Sequence, residues 1–262
     1  MTAYRRTRTP GLIDPAAKKP RPPAAATLEH LWWATDLPLS DAASVDTWAD
    51  AVGDSDLTAA GAACPTFDID GMNSEPTVNF DGSSDVMALG SALSTATEGC
   101  VVAVAKLNES PSTKAMWCQC STDLTERYVT SRFGYPNSGY WGWQFGDGGT
   151  DDILEMDAAT DTSNHVYEWS SDDSTVTLRL DNSEDAQTVQ QGSNGGGWFG
   201  DHGDPDDFVV GAERFYSGGV LYTVGHLDCR IALLAVYSEP LSSSDRADLY
   251  AWISSFYGIT VA

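Results

Sequence analysis

Short apolar runs separated by polar turns recur through residues 28–262 at a spacing of roughly ten residues, the pattern of an antiparallel sandwich. LEHLWWATD (28–36) opens the series. SVDTWADAVGDSDLTAAG (44–61) reads as a Trp-anchored turn and strand ahead of an irregular loop, and PTVNFDGSSDVMAL (76–89) alternates around a Phe-Asp-Gly turn. CVVAVAKL (100–107), AMWCQC (115–120), RYVTSRF (127–133), YWGWQF (140–145), HVYEWSS (165–171), STVTLRLD (174–181), DFVVGAE (207–213) and RIALLAVYS (230–238) follow. The period then changes. In SSSDRADLYAWISSFYGI (242–259), Ala247, Leu249, Tyr250, Ile253 and Phe256 recur at helical spacing. Ser244 and Asp245 before them and Gly258 after them predict one short helix, capped and stopped at those points. The expected class is all-β with a single C-terminal helix.

Residues 1–27, MTAYRRTRTPGLIDPAAKKPRPPAAAT, have no apolar period and end in Pro and Ala. They predict an extended arm set apart from one β-sandwich domain over 28–262. Charge sharpens this division. Arg5, Arg6, Arg8, Lys18, Lys19 and Arg21 against Asp14 make residues 1–25 +5, and because the whole chain is −24 the remainder carries −29. Such a body repels phosphates and anionic lipid surfaces, so nucleic acid is not an expected partner. The arm reads as a docking segment for an acidic or grooved partner. Only four Lys occur in the chain, and a dense carboxylate surface with little Lys suits high salt and a halophilic or marine source.

Five cysteines, none in paired CxxC spacing, argue against a zinc ribbon. Cys118 and Cys120 would share one face of a strand and read as buried thiols. The first 27 residues contain no apolar run of the length that a signal peptide or a span requires, so membrane insertion is not expected.

Several short motifs fall in a specific order: Trp48-Ala49-Asp50; Val78, Phe80, Asp81 and Gly82; Val210-Gly211; Arg230-Ile231-Ala232 with Val236-Tyr237 and Leu241-Ser242; and Tyr257-Gly258-Ile259. In that order the chain resembles the concanavalin A-like, laminin-G-type jelly rolls over residues 28–262. The resemblance implies a jelly-roll β-sandwich of a kind common in secreted glycan-binding proteins and in virion proteins of tailed viruses. The expected function is then a virion structural protein of the capsid-decoration, turret or tail-fibre type. A lectin-like sandwich would be tethered to other virion proteins by the arm, as a homo-oligomer on the virion surface. The alternative is an extracellular adhesin or receptor-binding module that takes a cell-surface glycan.

Three clusters carry candidate chemistry. Glu155-Met156-Asp157 places two carboxylates on one strand face and is similar to the start of a laminarinase-type motif. A retaining hydrolase needs two carboxyl groups about 5 Å apart, one as nucleophile and one as acid and base. The positions where the resemblance calls for a second Glu are Ala159 and Thr160. No catalytic residue is therefore expected, and Glu155 and Asp157 read as solvent-facing strand carboxylates. Tyr135, Tyr140, Trp141 and Trp143 could supply rings for sugar C–H faces, although Trp141 and Trp143 share a strand face that could equally fill the core. In GGGWFGDHGDPDDF (195–208), Asp201, Asp204, Asp206 and Asp207 around His202 are candidate calcium ligands, against a reading as a solvated acidic loop. No cofactor is required by any of these readings.

Overall fold

Residues 99–107 dictate the architecture. Every side chain of GCVVAVAKL except Lys106 is buried, so both faces of this strand need a cover. The computed structural model describes residues 21–261, apart from residues 24, 26, 150 and 185 and the side chains of 158 and 159. The N-terminal strands are β1 (Leu28–Trp33), β2 (Thr47–Trp48), β3 (Leu57–Thr58), β4 (Thr66–Met72), β5 (Glu75–Asp81), β6 (Met87–Ala88) and β7 (Gly99–Leu107). Next come β8 (Trp117–Cys120), β9 (Arg127–Phe133), β10 (Tyr140–Asp147), β11 (Asp152–Ala159), β12 (Asn164–Ser171) and β13 (Val176–Leu180). The chain closes with β14 (Gln187–Gln191), β15 (Asp207–Val210), β16 (Glu213–Ser217), β17 (Val220–Val224), β18 (Asp228–Tyr237) and helix α1 (Ser243–Tyr257).

Two antiparallel sheets face each other. The first runs β13, β12, β7, β18, β5, β4, with β1 paired beside the C-terminal half of β18. The second runs β14, β11, β10, β9, β8, β15, β6, β3, β2, and β16 and β17 form a separate hairpin. Between the sheets, Val101, Ala103 and Ala105 of β7 join Tyr167 and Trp169 of β12 against Trp117, Phe133, Trp141, Trp143 and Leu154. Trp141 stands edge-on to Tyr167 and to Trp169, each centroid 5.1 Å away, which sets a ring edge against a ring face.

The opposite face of β7 has a different cover. Cys100, Val102 and Val104, with Leu233 and Ala235 of β18, pack against Leu249, Tyr250, Ile253 and Tyr257 of α1. The helix begins at Ser242, whose hydroxyl accepts the Asp245 amide, and ends at Gly258 in the left-handed conformation at φ 65°. The cap thus lies two residues before Ser244, and Ala247 is exposed rather than part of the packed face. Beneath the helix, Glu168 of β12 is fully buried and accepts from Tyr250 Oη at 3.1 Å, Arg246 Nε at 3.0 Å and Arg179 Nη1 at 3.2 Å.

Four strands escape the sequence pattern. β4 falls where an irregular loop is expected, because Asp68, Asp70 and Gly71 break its alternation. β14 is a mostly exposed, polar edge strand. The β16–β17 hairpin lies against the outer side of the second sheet, with Phe215 beside Tyr128. Of the arm's cations, Arg5, Arg6, Arg8, Lys18 and Lys19 lie outside the described residues. Arg21 contacts this chain's own body, pairing with Asp36 Oδ2 at 3.0 Å and donating to the Ala51 carbonyl. All five cysteines are free thiols, and Cys118 and Cys120 are buried as the strand pattern predicts.

The Glu168 cluster yields a stability prediction. Removing one partner of a buried ionic cluster leaves uncompensated charge, so Glu168→Gln is expected to destabilise the fold by about 3 kcal/mol. Urea denaturation of parent and variant measures it; a loss below half a kcal/mol would show that the cluster does not fasten the helix.

Candidate functional site

Strands β9 and β10 alternate between two environments. Val129, Phe133, Trp141 and Trp143 belong to the inter-sheet core, which sends Tyr128, Thr130, Arg132, Gly142, Gln144 and Gly146 to the outer face. Gly142 pairs with Arg132 on one side and Glu155 on the other. A Cβ at Gly142 would lie 1.9 Å from the Leu154 carbonyl oxygen, so no larger residue fits there.

On this outer face a cleft of about 370 Å³ opens between the sheet, the segment after β9 and the β16–β17 hairpin. Arg132, 6% exposed, forms its base. Its Nη1 and Nη2 donate to the two carboxylate oxygens of Glu213 at 2.5 and 2.8 Å, and its Nε donates to Gln144 Oε1 at 2.5 Å. Gln144 Nε2 in turn donates to Tyr128 Oη at 2.7 Å and to Asp151 Oδ2 at 2.5 Å, and Tyr128 Oη donates to the same Asp151 oxygen at 3.0 Å. These bonds use three of the five N–H groups of Arg132. Burial raises the Glu213 carboxyl above its ordinary value, against the pull of Arg132. Burial, with Asp151 beside it, likewise pushes the Tyr128 phenol well up and keeps it a neutral donor.

Aromatic walls flank the polar base. Tyr135 stacks over the Arg132 guanidinium at 5.3 Å, and Phe215 also lines the cleft, itself stacked on Tyr222 at 5.3 Å. A second, larger recess of about 500 Å³ lies along Glu29, His30 and residues 92–95. It has no comparable convergence of charged and aromatic side chains, so the cleft over Arg132 is the stronger candidate.

The sequence-predicted residues divide around this cleft. Tyr135 lines it. Tyr140 is half-buried at the start of β10, outside the cleft lining, while Trp141 and Trp143 are fully buried and offer no ring to a ligand. Glu155 corrects its expectation of exposure: it is 4% exposed, accepting from Asn137 N at 3.2 Å, Asn137 Nδ2 at 2.7 Å and Gln190 Nε2 at 3.1 Å. The 134–139 segment and β14 cover it. Asp157 remains exposed and accepts from Thr188 Oγ1 at 3.0 Å. Tyr128, Arg132, Gln144, Asp151, Glu213 and Phe215 were not singled out from the sequence. The available signal was the polar half of two alternating strands, Tyr128-Thr130-Arg132 and Gly142-Gln144-Gly146.

The fold has counterparts of known structure. Domain 4 of AbnA, an extracellular arabinanase of Geobacillus stearothermophilus, superposes with a TM-score of 0.60 at 12% identity, over 86% of this chain and 98% of that domain. The CBM40 domain of a Ruminococcus gnavus sialidase gives 0.50 at 14% identity, over 67% of this chain and 95% of that one. A Trypanosoma rangeli sialidase gives 0.54 at 14% identity over 88% of this chain, which matches 33% of the sialidase. At these identities the likeness establishes the fold, a jelly-roll β-sandwich. No family model matches the sequence, and no curated protein is similar to it in sequence.

The acidic loop before β15 does not gather its carboxylates. Asp201 accepts the Trp198 amide at 2.8 Å, Asp206 accepts from Thr122 N and Oγ1 at 2.8 and 2.7 Å, and Asp207 pairs with Arg214. Asp204 is exposed. Among the described residues no group of three or more His, Cys, Asp or Glu is arranged to hold a metal ion. His202, at the centre of this loop, is fully buried beside Phe145, and neither ring nitrogen has a protein hydrogen-bond partner.

Burial lowers His202 from 6.5 to about 4, a shift aided by the Arg127 charge. A depressed histidine is neutral when folded, so the unfolded chain binds the extra proton between these values. Stability from this group is therefore present above pH 6.5 and lost as pH falls toward 4, by about 3 kcal/mol. Denaturation midpoints across that window should decline less steeply in His202→Leu than in the parent; parallel slopes would refute the assignment.

Proposed function

We propose that this chain is a non-catalytic glycan-binding module, and the observation that carries the reading is the cleft over Arg132. Sugars present both hydroxyls and apolar C–H faces. The cleft offers both complements: Gln144, Asp151 and the unused N–H groups of Arg132 for hydroxyls, and Tyr135 and Phe215 for ring faces. The network beneath is buried and mutually hydrogen-bonded, so these groups are held in place before a ligand arrives. Two similar structures are described as bound to sugars, the Ruminococcus gnavus domain to sialyllactose and the AbnA domain to arabinotriose.

A hydrolytic role has less support. Glu155 already accepts hydrogen bonds from Asn137 and Gln190, and the two positions where the laminarinase-type motif carries a second Glu hold Ala159 and Thr160. One carboxylate cannot serve both as nucleophile and as the acid that protonates the leaving group.

The setting we propose for this module is the surface of a tailed-virus particle, with residues 1–27 as the tether. Its support is the charge contrast within one chain, +5 over residues 1–25 against −29 beyond them. A secreted adhesin would use the same cleft without the tether. Deleting residues 1–25 should leave the sandwich folded and the cleft active while abolishing incorporation into particles, scored by labelling purified virions; normal incorporation would remove the tether from the proposal.

For the cleft itself, Tyr135→Ala should weaken saccharide binding at least about tenfold while leaving the melting temperature close to the parent's, because the ring stacks over Arg132 without entering the core. Calorimetric titration against an oligosaccharide panel measures this. The parent should release no reducing sugar from the same panel. Unchanged affinity in Tyr135→Ala and Phe215→Ala would move the site elsewhere, and sugar release would restore an enzyme.

A further inference from the structure

The glycan-binding reading leaves the chemical class of the sugar open, and the charges around the cleft narrow it. Arg132 is the one cation among the described residues that line the cleft, and both oxygens of Glu213 already engage its guanidinium. Two further carboxylates line the cleft: Asp151 at the base and Glu126, exposed, at the rim. The formal charge of the lining is therefore negative. The nearest other cations in sequence have contacts of their own: Arg214 pairs with Asp207, Arg127 donates to the His202 carbonyl, and Lys114 donates to the Gly82 carbonyl.

An acidic sugar would bring a carboxylate into this field, where the Arg132 charge is already matched by Glu213. Displacing Glu213 from Arg132 would leave a buried carboxylate stranded. Asp151 and Glu126 suit the opposite kind of ligand, since a carboxylate accepts strongly from a neutral hydroxyl. The walls agree. Tyr135 and Phe215 both line the cleft, and Tyr222, 41% exposed and stacked on Phe215, extends the aromatic surface along the hairpin. A ligand longer than one ring would keep contact there.

We infer that the cleft selects an uncharged oligosaccharide, with hydroxyls donated to Asp151 and Glu126 and sugar C–H faces laid on Tyr135 and the Phe215–Tyr222 pair. The inference rests on the glycan-binding reading. It separates this chain from the sialyllactose-bound Ruminococcus gnavus domain, whose ligand carries a carboxylate.

The test uses the full chain and matched pairs of saccharides that differ by an acidic group: lactose and 3′-sialyllactose, galacto-oligosaccharide and oligogalacturonate, xylo-oligosaccharide and its glucuronosyl-substituted form, each with neutral arabinotriose alongside. Titration at low salt should find a neutral ligand that binds and an acidic partner at least about tenfold weaker. That gap should narrow in Glu126→Gln and Asp151→Asn and in molar salt, since it is electrostatic. Acidic members binding as tightly as neutral ones, or a gap unmoved by both substitutions, would overturn the inference while leaving glycan binding intact. No binding by any member, neutral or acidic, would overturn both.

Discussion

Burial of both faces of β7 is the constraint from which the rest of the molecule follows. Alternate residues of this strand belong to two separate cores, Val101, Ala103 and Ala105 to one and Cys100, Val102 and Val104 to the other. The second sheet covers the first set. A lone helix must cover the second, and its placement is fixed by Tyr257, which accepts the Trp33 indole N–H at 2.8 Å, and by the buried Glu168 cluster. Hydrophobic burial supplies the drive, while Glu168 restricts how the helix can lie, because a carboxylate in that position is tolerable only with its arginine and tyrosine partners in place.

The nine-stranded sheet is covered differently, and that difference creates the site. Among the described residues no helix lies over it; a two-stranded hairpin and the 134–139 segment cover parts of its outer face. Where the hairpin shields the strands, Cys118, Cys120, Tyr128 and Val209 form a small apolar cluster with Phe215. Where the covers part, the strands carry Arg132 and Gln144, both nearly buried, instead of apolar residues. The cleft is thus a gap between two partial lids, floored by polar groups that satisfy one another. Such a floor is rigid for the same reason it is polar: each buried donor that lost its acceptor would be left desolvated and unpaired.

The motifs on which the jelly-roll resemblance rests prove to be fastenings of the fold. Asp50 accepts the Leu31 amide at 2.9 Å and pairs with His30 at 2.7 Å, joining β1 to the Trp48 turn. Asp81 accepts the amides of Ser83, Ser84 and Asp85 and so shapes the turn after β5. Gly211 takes φ 92° against Phe80, where a Cβ would lie 2.3 Å from the ring. Short motifs of this kind report a backbone that must turn tightly or pass close to a side chain, and they are silent about ligands.

The sequence by itself determined the strand runs that became β7 and β9, the shared face of Trp141 and Trp143 on β10, and the helix with its Gly258 stop. Each of these depends on side-chain periodicity along one element, which is a local property. It therefore also bore on Trp141 and Trp143, whose place on the apolar face of β10 puts them in the core. Burial of Glu155 was beyond its reach, because the groups that cover that carboxylate, Asn137 and Gln190, come from a loop 18 residues before it and an edge strand 35 residues after it. The same holds for the cleft. Arg132 meets Glu213 across 81 residues, and only the folding of the hairpin over the sheet sets that distance, since a strand's period fixes which face a side chain takes and not what arrives to meet it.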